Sequence, residues 1–511
     1  MALNKLKIGI LSRDFVKPEN WENRIFKGII EHPDLELSLL IRDRRRQLYS
    51  GINPLLTLQT NLESFLFKKN IIVNTAEIIN KLNSTETINF NSEEDFERVK
   101  AYNLDLIVQL TSNGISDDIS QVAQHGIWSI RHTDGFWDIV NNEPFCRVSL
   151  FKGENIIDEA FYNWSFSYYK TRSDLLEGSV SLLFKNIQKI LRDIKIQPAN
   201  VYNCKPGKVI SLRYTIIYAF RFYLKIWNHI INRLFSLKRL NCWALFFGKG
   251  IFFDSNPAKL SPAPLPKKVF WADPFLYEHE NVPYVFFEKY IYKIRKGIIS
   301  TGKVVEKEPG KYSVVEVQDI LDFNYHLSYP HIVKENGHLY MIPETHQNKR
   351  LEIYSCVHFP EKWELYATAF DGEEIVDTTY FQDEKGDRWL FLNKGWSYNS
   401  ELHIYKIDSL KLNSLIPHRS NPVIIDCRKG RSGGGIYKYK NEYYRPSQIN
   451  THGSYGKGLH ISKIKILTLD EFEDEPITSI MPDFMEGLVG MHHLHHSENY
   501  FVFDACYKTL P

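Results

Sequence analysis

Three carboxyls of this 511-residue chain, Asp273, Glu344 and Asp377, are the groups best suited to chemistry on a hydroxyl-rich molecule. Asp273 stands in Phe270-Trp-Ala-Asp-Pro-Phe275, Glu344 ends Met341-Ile-Pro-Glu344, and Asp377 opens Asp377-Thr-Thr-Tyr-Phe381. Carboxylates accept hydrogen bonds from hydroxyls, and two carboxyls of unlike proton affinity can serve as acid and base across a glycosidic bond. Candidate substrate-binding companions are Ser328, Arg431, Arg445, Gln448, His492 and His493. The arginines would contact an anionic group or offset the acids, since like charges close together repel. Asp273 precedes Pro274 and could instead cap a turn. The run Arg428-Lys-Gly-Arg-Ser-Gly-Gly-Gly435 either cradles a phosphate through backbone N–H groups or is a glycine run where backbones crowd together. His492-His-Leu-His-His496 suggests a metal, but strand alternation separates His493 and His495 from His492 and His496, so sugar-binding or buried histidines are expected and no metal.

These residues recur at fixed places in a repeated unit of two short strands joined by a polar turn. The copies begin at Phe270, Ser328, Asp377, Ser432 and Gly490. Aromatic anchors at Tyr284, Tyr340, Trp389, Tyr444 and Tyr500 recur every roughly fifty-five residues, the period of a β-propeller blade. Five copies predict five blades, with the first-strand starts converging on one axial pocket. Each second strand also carries a polar residue: Glu288, Glu344, Asn393, Gln448 and Asp504. Hydrogen bonding between neighbouring blades is the expected role for most of them.

Composition narrows the function classes. The net charge is only +2, from 63 basic and 61 acidic residues, which gives no case for nucleic acid. Six scattered cysteines without a Cys-x-x-Cys pair favour a reduced, cytoplasmic setting without structural zinc. The first apolar stretch is too short for a signal peptide, and no uncharged run is long enough to span a bilayer.

The first part of the chain alternates strands (7–12, 35–41, 104–110, 126–132) with helices (21–32, 92–102, 115–124), which predicts an open, largely parallel α/β sheet. Residues 44–90 fit helix or loop equally. No Gly-x-Gly-x-x-Gly follows the first strand, so no dinucleotide site is expected, and no cofactor. Asn103-Leu-Asp-Leu-Ile-Val-Gln-Leu110 and Gly126-Ile-Trp-Ser-Ile-Arg-His132 resemble the N-terminal, Rossmann-like domain of the methionyl-tRNA formyltransferase family over about residues 5–165. The resemblance implies a catalytic Asn, a His two residues on and a downstream Asp. Here Ser129 and Arg131 hold the first two places, His132 is one residue out of phase, and residues 148–157 lack the Asp-containing loop. This implies a scaffold that has lost formyl chemistry, or a residual role for His132 and Asp134.

Three divisions follow: a formyltransferase-like domain (1–165), a basic helical connector with a proline-rich linker (166–260), and the propeller (261–511). No acid lies between Asp193 and Asp254. Residues 210–235 read as a helix with Arg213, Arg221, Lys225 and Arg233 in one stripe, either lying on an anionic membrane or packed between domains with its cations solvated.

Phe270-Trp-Ala-Asp-Pro-Phe275, His326-Leu-Ser-Tyr-Pro330, Met341-Ile-Pro-Glu344 and Tyr444-Arg-Pro-Ser-Gln448 together resemble, over about 240–511, the N-terminal domain of plant glucosamine inositolphosphorylceramide transferase and its bacterial relatives. That domain is similar in turn to the five-bladed propellers of glycoside hydrolase family 43. The resemblance implies a sugar, nucleotide-sugar or glycolipid ligand. It also implies a base at Asp273 and an acid-tuning Asp at Asp377. The hydrolase's blade-four acid is missing, since Ser432-Gly-Gly-Gly435 stands there, and Glu344 could replace it only by reaching the pocket. The reading is therefore a cytoplasmic, possible peripheral-membrane protein of cell-surface glycan assembly, leaning towards a transferase. The alternatives are an amino-sugar N-formyltransferase and a non-catalytic sugar-binding scaffold for a glycosyltransferase.

Overall fold

The computed structural model describes residues 5–45, 53–67, 76–111, 122–194, 196, 209–234 and 240–509. Two compact units divide the chain, residues 1–225 and 226–511. The expected helix at 115–124 falls mostly outside the described residues.

In the first unit the elements run β1 (Leu6–Ser12), α1 (Asn20–Glu31), β2 (Leu35–Asp43), α2 (Pro54–Phe67), α3 (Ala76–Ser84), β3 (Thr87–Phe90), α4 (Phe96–Lys100), β4 (Leu106–Gln109), β5 (Ile127–His132), α5 (Phe136–Asn141), β6 (Cys146–Lys152), β7 (Asn155–Tyr162) and α6 (Tyr168–Leu191). One seven-stranded sheet runs β3-β2-β1-β4-β5-β6-β7. Pairing is parallel from β3 to β5 and antiparallel through β6 and β7. Leu39, Ile41, Ile107 and Ile127 bury one side of the parallel strands, as near-continuous apolar runs require. The ambiguous stretch 44–90 supplies α2, α3 and the edge strand β3. The helix expected at 92–102 shortens to α4, because the Asp95 carboxylate accepts the Asn91 and Ser92 N–H groups and holds a turn before it.

Two parts of the expected connector belong elsewhere. Helix α6 packs into the first unit: the Tyr162 hydroxyl donates to Gly178 O at 2.9 Å, and a Cβ on Gly178 would lie 2.5 Å from that ring. After α7 (Leu212–Leu234), the strand β8 (Leu240–Lys249) pairs along the whole of the chain's last strand, Leu240 facing Thr509 and Lys249 facing Tyr500. The propeller therefore starts at 240 rather than 261. The proline-rich stretch is pinned to it by a bridge between Pro262 and Phe246.

The second unit is a five-bladed β-propeller. Blade one is β9 (Val269–His279), β10 (Val282–Ile291), β11 (Lys296–Glu308) and β12 (Lys311–Leu321). Blade two is β13 (Ser328–Glu335), β14 (His338–Glu344), β15 (Leu351–His358) and β16 (Lys362–Ala369). Blade three is β17 (Val376–Gln382), β18 (Arg388–Asn393), β19 (Glu401–Ile407) and β20 (Leu415–Pro417), with β21 (Ile424–Ile425) also on β19. Blade four is β22 (Tyr437–Tyr439), β23 (Glu442–Ile449), β24 (Gly458–Leu467) and β25 (Phe472–Ile480). Blade five joins β26 (Leu488–Gly490), β27 (Leu494–His496) and β28 (Tyr500–Thr509) to β8. The two-strand repeat is thus the inner half of each blade. Aromatic cores seal the seams, such as Phe275, Phe286, Tyr329 and Trp363 between blades one and two. Each such ring contributes about 1.5–3 kcal/mol on burial.

Candidate functional site

The axial site is built on three matching irregularities. In blades one, two and three the inner strand slips register against its neighbour, between Ala272 and Phe275, Ser328 and His331, and Val376 and Thr379. Asp273, Tyr329 and Asp377 occupy the slipped positions, with φ of +50°, +47° and +47°. Such bulges turn a side chain out of the pleat, and left-handed backbone is unfavourable for tyrosine above all. The blade-two equivalent of Asp273 is therefore Tyr329. The expectation placed Ser328 there, but Ser328 stays in the ladder opposite Glu344. The Tyr329 hydroxyl lies 2.7 Å from Thr379 Oγ1, donates to Gly434 O and accepts from Gly434 N, both at 3.1 Å. Tyr329→Phe strands the buried Gly434 N–H, with an expected loss of about 1–3 kcal/mol in a denaturant melt; a melt equal to wild type would show that the bulge needs no such anchor.

Two charge groups meet at the axis. In the first, Asp504 Oδ1 accepts from the backbone N–H groups of His492 and His493 and lies 2.7 Å from His492 Nδ1, while its Oδ2 accepts from Asp273 N. His492 Nε2 lies 3.3 Å from Asp273 Oδ1, and its ring packs at a tilt against Trp243, centroids 3.9 Å apart. The result is a chain, Asp504–His492–Asp273. Burial pushes Asp273 up to about 6 against the pull of His492. Burial opposes a charge on His492, but Asp504 and Asp273 outweigh it and raise its value. His493 and His495 are held far below the usual histidine range by burial.

His492 binds its proton more tightly folded than unfolded, so it contributes stability below pH 6.5 that is lost as pH rises through its folded value. A histidine NMR titration is expected to show the His492 midpoint above 6.5 while His493 and His495 stay neutral. A His492 midpoint at or below the free value would remove the ion pair from the site.

Asp273, His492 and Asp504 each present one ligand atom, all within 4.8 Å of one another. Asp504 Oδ1 takes three donors, and in this geometry the trio forms a hydrogen-bond relay. His495 Nδ1 and His496 Nε2 accept from Leu276 N and Phe252 N, which fixes them as structural.

In the second group, Arg431 Nε donates to Asp377 Oδ2 at 2.6 Å, Nη1 to Asn399 Oδ1 at 2.8 Å, and Nη2 lies 3.6 Å from Glu344 Oε2. Gln448 Nε2 also donates to Asp377 Oδ2, at 3.1 Å. Glu344 Oε1 lies 2.7 Å from His346 Nδ1. Burial raises Asp377 well above the carboxylate range against the pull of Arg431. Burial pushes Glu344 the same way, but the His346 hydrogen bond and the Arg431 charge hold it down to about 2. The Arg431 guanidinium sits 5.4 Å from the Tyr398 ring and 5.0 Å from the Tyr455 ring, and both rings are more than a third exposed. They form an aromatic rim over a buried arginine.

Asp273, Glu344, Asp377, Arg431, Gln448, His492 and His493 thus come together. Glu344 reaches the axis and also bridges blades. Its repeat partner Asn393 joins blades three and four, accepting from Ser432 N and donating to Gly430 O.

Arg445 does not join them: its Nη2 donates to Asp474 Oδ2 and Lys429 O, tying strands within blade four. It lies three residues from Gln448 on one strand, so the two face opposite sides.

The glycine run is not a phosphate cradle. Arg428 pairs with Asp426, Lys429 with Asp474 and Arg431 with Asp377, while a Cβ on Gly434 would lie 1.8 Å from Leu494 O. Close backbone approach explains the glycines. Asn399, Tyr398, Tyr455 and His346 were missed because they sit on loops outside the repeat.

The four residues singled out in the first unit do not converge in the same way. Ser129 and Arg131 share one face of β5, and Arg131 lies over the Phe151 ring at 4.2 Å. His132 lies on the other face with Nδ1 2.8 Å from Thr133 O, and burial lowers its value. Asp134 Oδ1 accepts from Trp137 N at the start of α5.

Residues 256–493 match the family described as glucosamine inositolphosphorylceramide transferase 1, N-terminal. Glucosamine inositolphosphorylceramide transferase 1 of Oryza sativa subsp. japonica is 30% identical over 224 residues, 43% of this chain and 29% of its own length. The protein of the same name from Arabidopsis thaliana is 32% identical over 257 residues, 47% of this chain and 32% of its own. The chain spans about a third of the length of these curated relatives. Among solved structures, the GH43_1 enzyme from Xanthomonas citri aligns with a TM-score of 0.34 and 9% identity, over 48% of this chain and 89% of that one.

Proposed function

We propose that the axial pocket of the propeller binds the sugar of a glycan, nucleotide-sugar or glycolipid, as part of a transferase-type enzyme of cell-surface glycan assembly. The reading rests on one feature: carboxyls of unlike proton affinity lie beside exposed tyrosine faces. Sugar hydroxyls donate to carboxylates, and sugar C–H faces lie on aromatic rings. Asp273, Glu344 and Asp377 accept hydroxyls in this reading, and Tyr398 and Tyr455 hold a ring face. The relatives' name supports the same ligand class. Arg431 acts by neutralising Asp377 and Glu344 rather than as a spare anion contact. The cytoplasm, at the inner face of a membrane, is part of the proposal.

A second reading, a non-catalytic scaffold that presents a sugar to a partner glycosyltransferase, is favoured by the neutralised state of the axial carboxyls. Asp273 is paired with a histidine, and Asp377 with an arginine. Formyl transfer to an amino sugar has no such support, since Arg131 is spent on Phe151.

Calorimetric titration of the full chain with monosaccharides, nucleotide-sugars and glycolipid headgroups tests both readings. A binder whose signal falls with Tyr455→Ala supports the pocket, and turnover of that binder separates enzyme from scaffold. A panel without any binder would sink them together.

A further inference from the structure

The first unit carries an apolar face built from two helices. α2 and α7 run side by side in the same direction. Asn53 Nδ2, at the start of α2, donates to Ile210 O and Thr215 Oγ1, both at 2.9 Å; Tyr218 donates to Glu63; and the Phe67 and Phe222 rings lie 6.3 Å apart. Glu63 is fully buried and also accepts from Gln59, Ser167 and Tyr169 N, so the start of α6 is locked to both helices. Thr215, Tyr218 and Phe222 face inward.

The outward faces are apolar as well. On α2, Leu58, Leu62, Phe65 and Leu66 are all at least half exposed, Phe65 at 90%. On α7, Leu212, Ile216, Phe220 and Tyr223 recur every three or four residues and are exposed, Phe220 at 68%. A contiguous exposed apolar face rimmed by polar and charged residues marks a surface that meets a partner or a non-aqueous phase. The charges have one sign: α7 holds Arg213, Arg221, Lys225 and Arg233 with no acid, and the only charged residue of α2 is the buried Glu63. Arg221 donates to Val140 O, and Lys225 lies 5.4 Å from the Phe166 ring, which holds both against the first unit beside the apolar stripe. Arg213, Arg221 and Lys225 are exposed as well, so α7 presents the apolar stripe outward with these cations beside it. No helix among the described residues is long and apolar enough to cross a bilayer.

We propose that the outward faces of α2 and α7 seat the first unit on an anionic lipid bilayer, apolar side chains in the acyl boundary and the flanking cations at the headgroups. Apolar area and cations together are the two signals that stable interfacial binding requires, and the absence of any exposed acid on either helix removes the repulsion an anionic surface would exert. The inference is independent of the sugar reading.

The test is sedimentation of the full chain with phosphatidylcholine vesicles with and without phosphatidylglycerol, at low and high salt. Binding is expected with phosphatidylglycerol at low salt, weakened by high salt. Arg213→Glu should reduce it about fivefold or more. Phe220→Glu and Phe65→Glu, on separate helices, should each reduce it roughly tenfold or more with unchanged thermal melting, since both side chains are exposed. Absence of binding to phosphatidylglycerol vesicles at low salt, or variants that bind like wild type, would overturn the proposal. A wild-type dimer that Phe220→Glu converts to monomer would also overturn it, by assigning the face to a second copy of the chain.

Discussion

Arg431→Ala is expected to destabilise the propeller by about 3–5 kcal/mol, the loss that follows when one partner of a buried ion pair is removed. The residue is buried, and its guanidinium meets Asp377 at 2.6 Å, Glu344 at 3.6 Å and Asn399 at 2.8 Å. Without it, two carboxyls face each other in a desolvated site, and Asn399, Tyr398 and Tyr455 lose the group they pack on. Glu344 has a folded value of about 2, below its free value, so its pairing contributes stability above about pH 4.5 that is lost as pH falls towards 2. The variant removes part of that contribution, so its deficit should be largest at neutral pH and shrink on acidification. Adding Asp377→Asn and Glu344→Gln should recover much of the loss, because no unpaired charge remains. Urea melts at neutral and acid pH measure both effects. A single variant that melts like wild type at neutral pH would show that Gln448 and His346 suffice to hold the carboxyls.

The second large effect is on recognition. Asp273→Asn should weaken sugar binding roughly tenfold to a hundredfold, the range for a hydrogen bond to a charged group, with little change in melting. Asparagine tolerates the left-handed backbone of this position, and the N–H that anchors it to Asp504 belongs to the main chain. What disappears is the carboxylate whose value of about 6 lets it change charge near neutrality. Wild-type binding should therefore strengthen as pH rises through about 6, and the variant's should not. Calorimetry across that range decides the matter. If Asp273→Asn binds the same ligand with wild-type affinity and pH dependence, the axial pocket is not the ligand site.

Much of this centre was legible because its residues hold fixed places in a repeated unit. Asp273 and Asp377 open inner strands, Glu344 and Gln448 end second strands, and the repeat alone brings all four to one axis. The Ser328 assignment failed because a bulge shifts register by backbone conformation, and alternating patterns carry no sign of a left-handed residue. Tyr329 in Tyr-Pro-His beside Asp273 in Asp-Pro-Phe was the available hint. Arg445 was misplaced against a rule that was available, since an odd spacing from Gln448 sends it to the other face. Tyr398, Asn399 and Tyr455 were invisible because they come from loops that no repeat constrains. In the first unit, strand and helix alternation predicted the parallel sheet, whereas residues 44–90 lacked a dominant period. The stripe of cations drew attention on α7 while the apolar residues beside it face outward.

The pairing of β8 with β28 has a consequence for how the molecule is made. Blade five is assembled from the two ends of the propeller segment, so nascent chain emerging from a ribosome cannot complete it until the last strand has been synthesised. Until then β8, with its Leu245-Phe-Phe247 core, waits as an unpaired strand while four blades form behind it. Unsatisfied strand edges of this kind recruit other chains. Closing the ring also makes the entropy of a very long loop a single late step, after which neither end can fray without breaking the seam next to Trp243, His492 and the axial carboxyls.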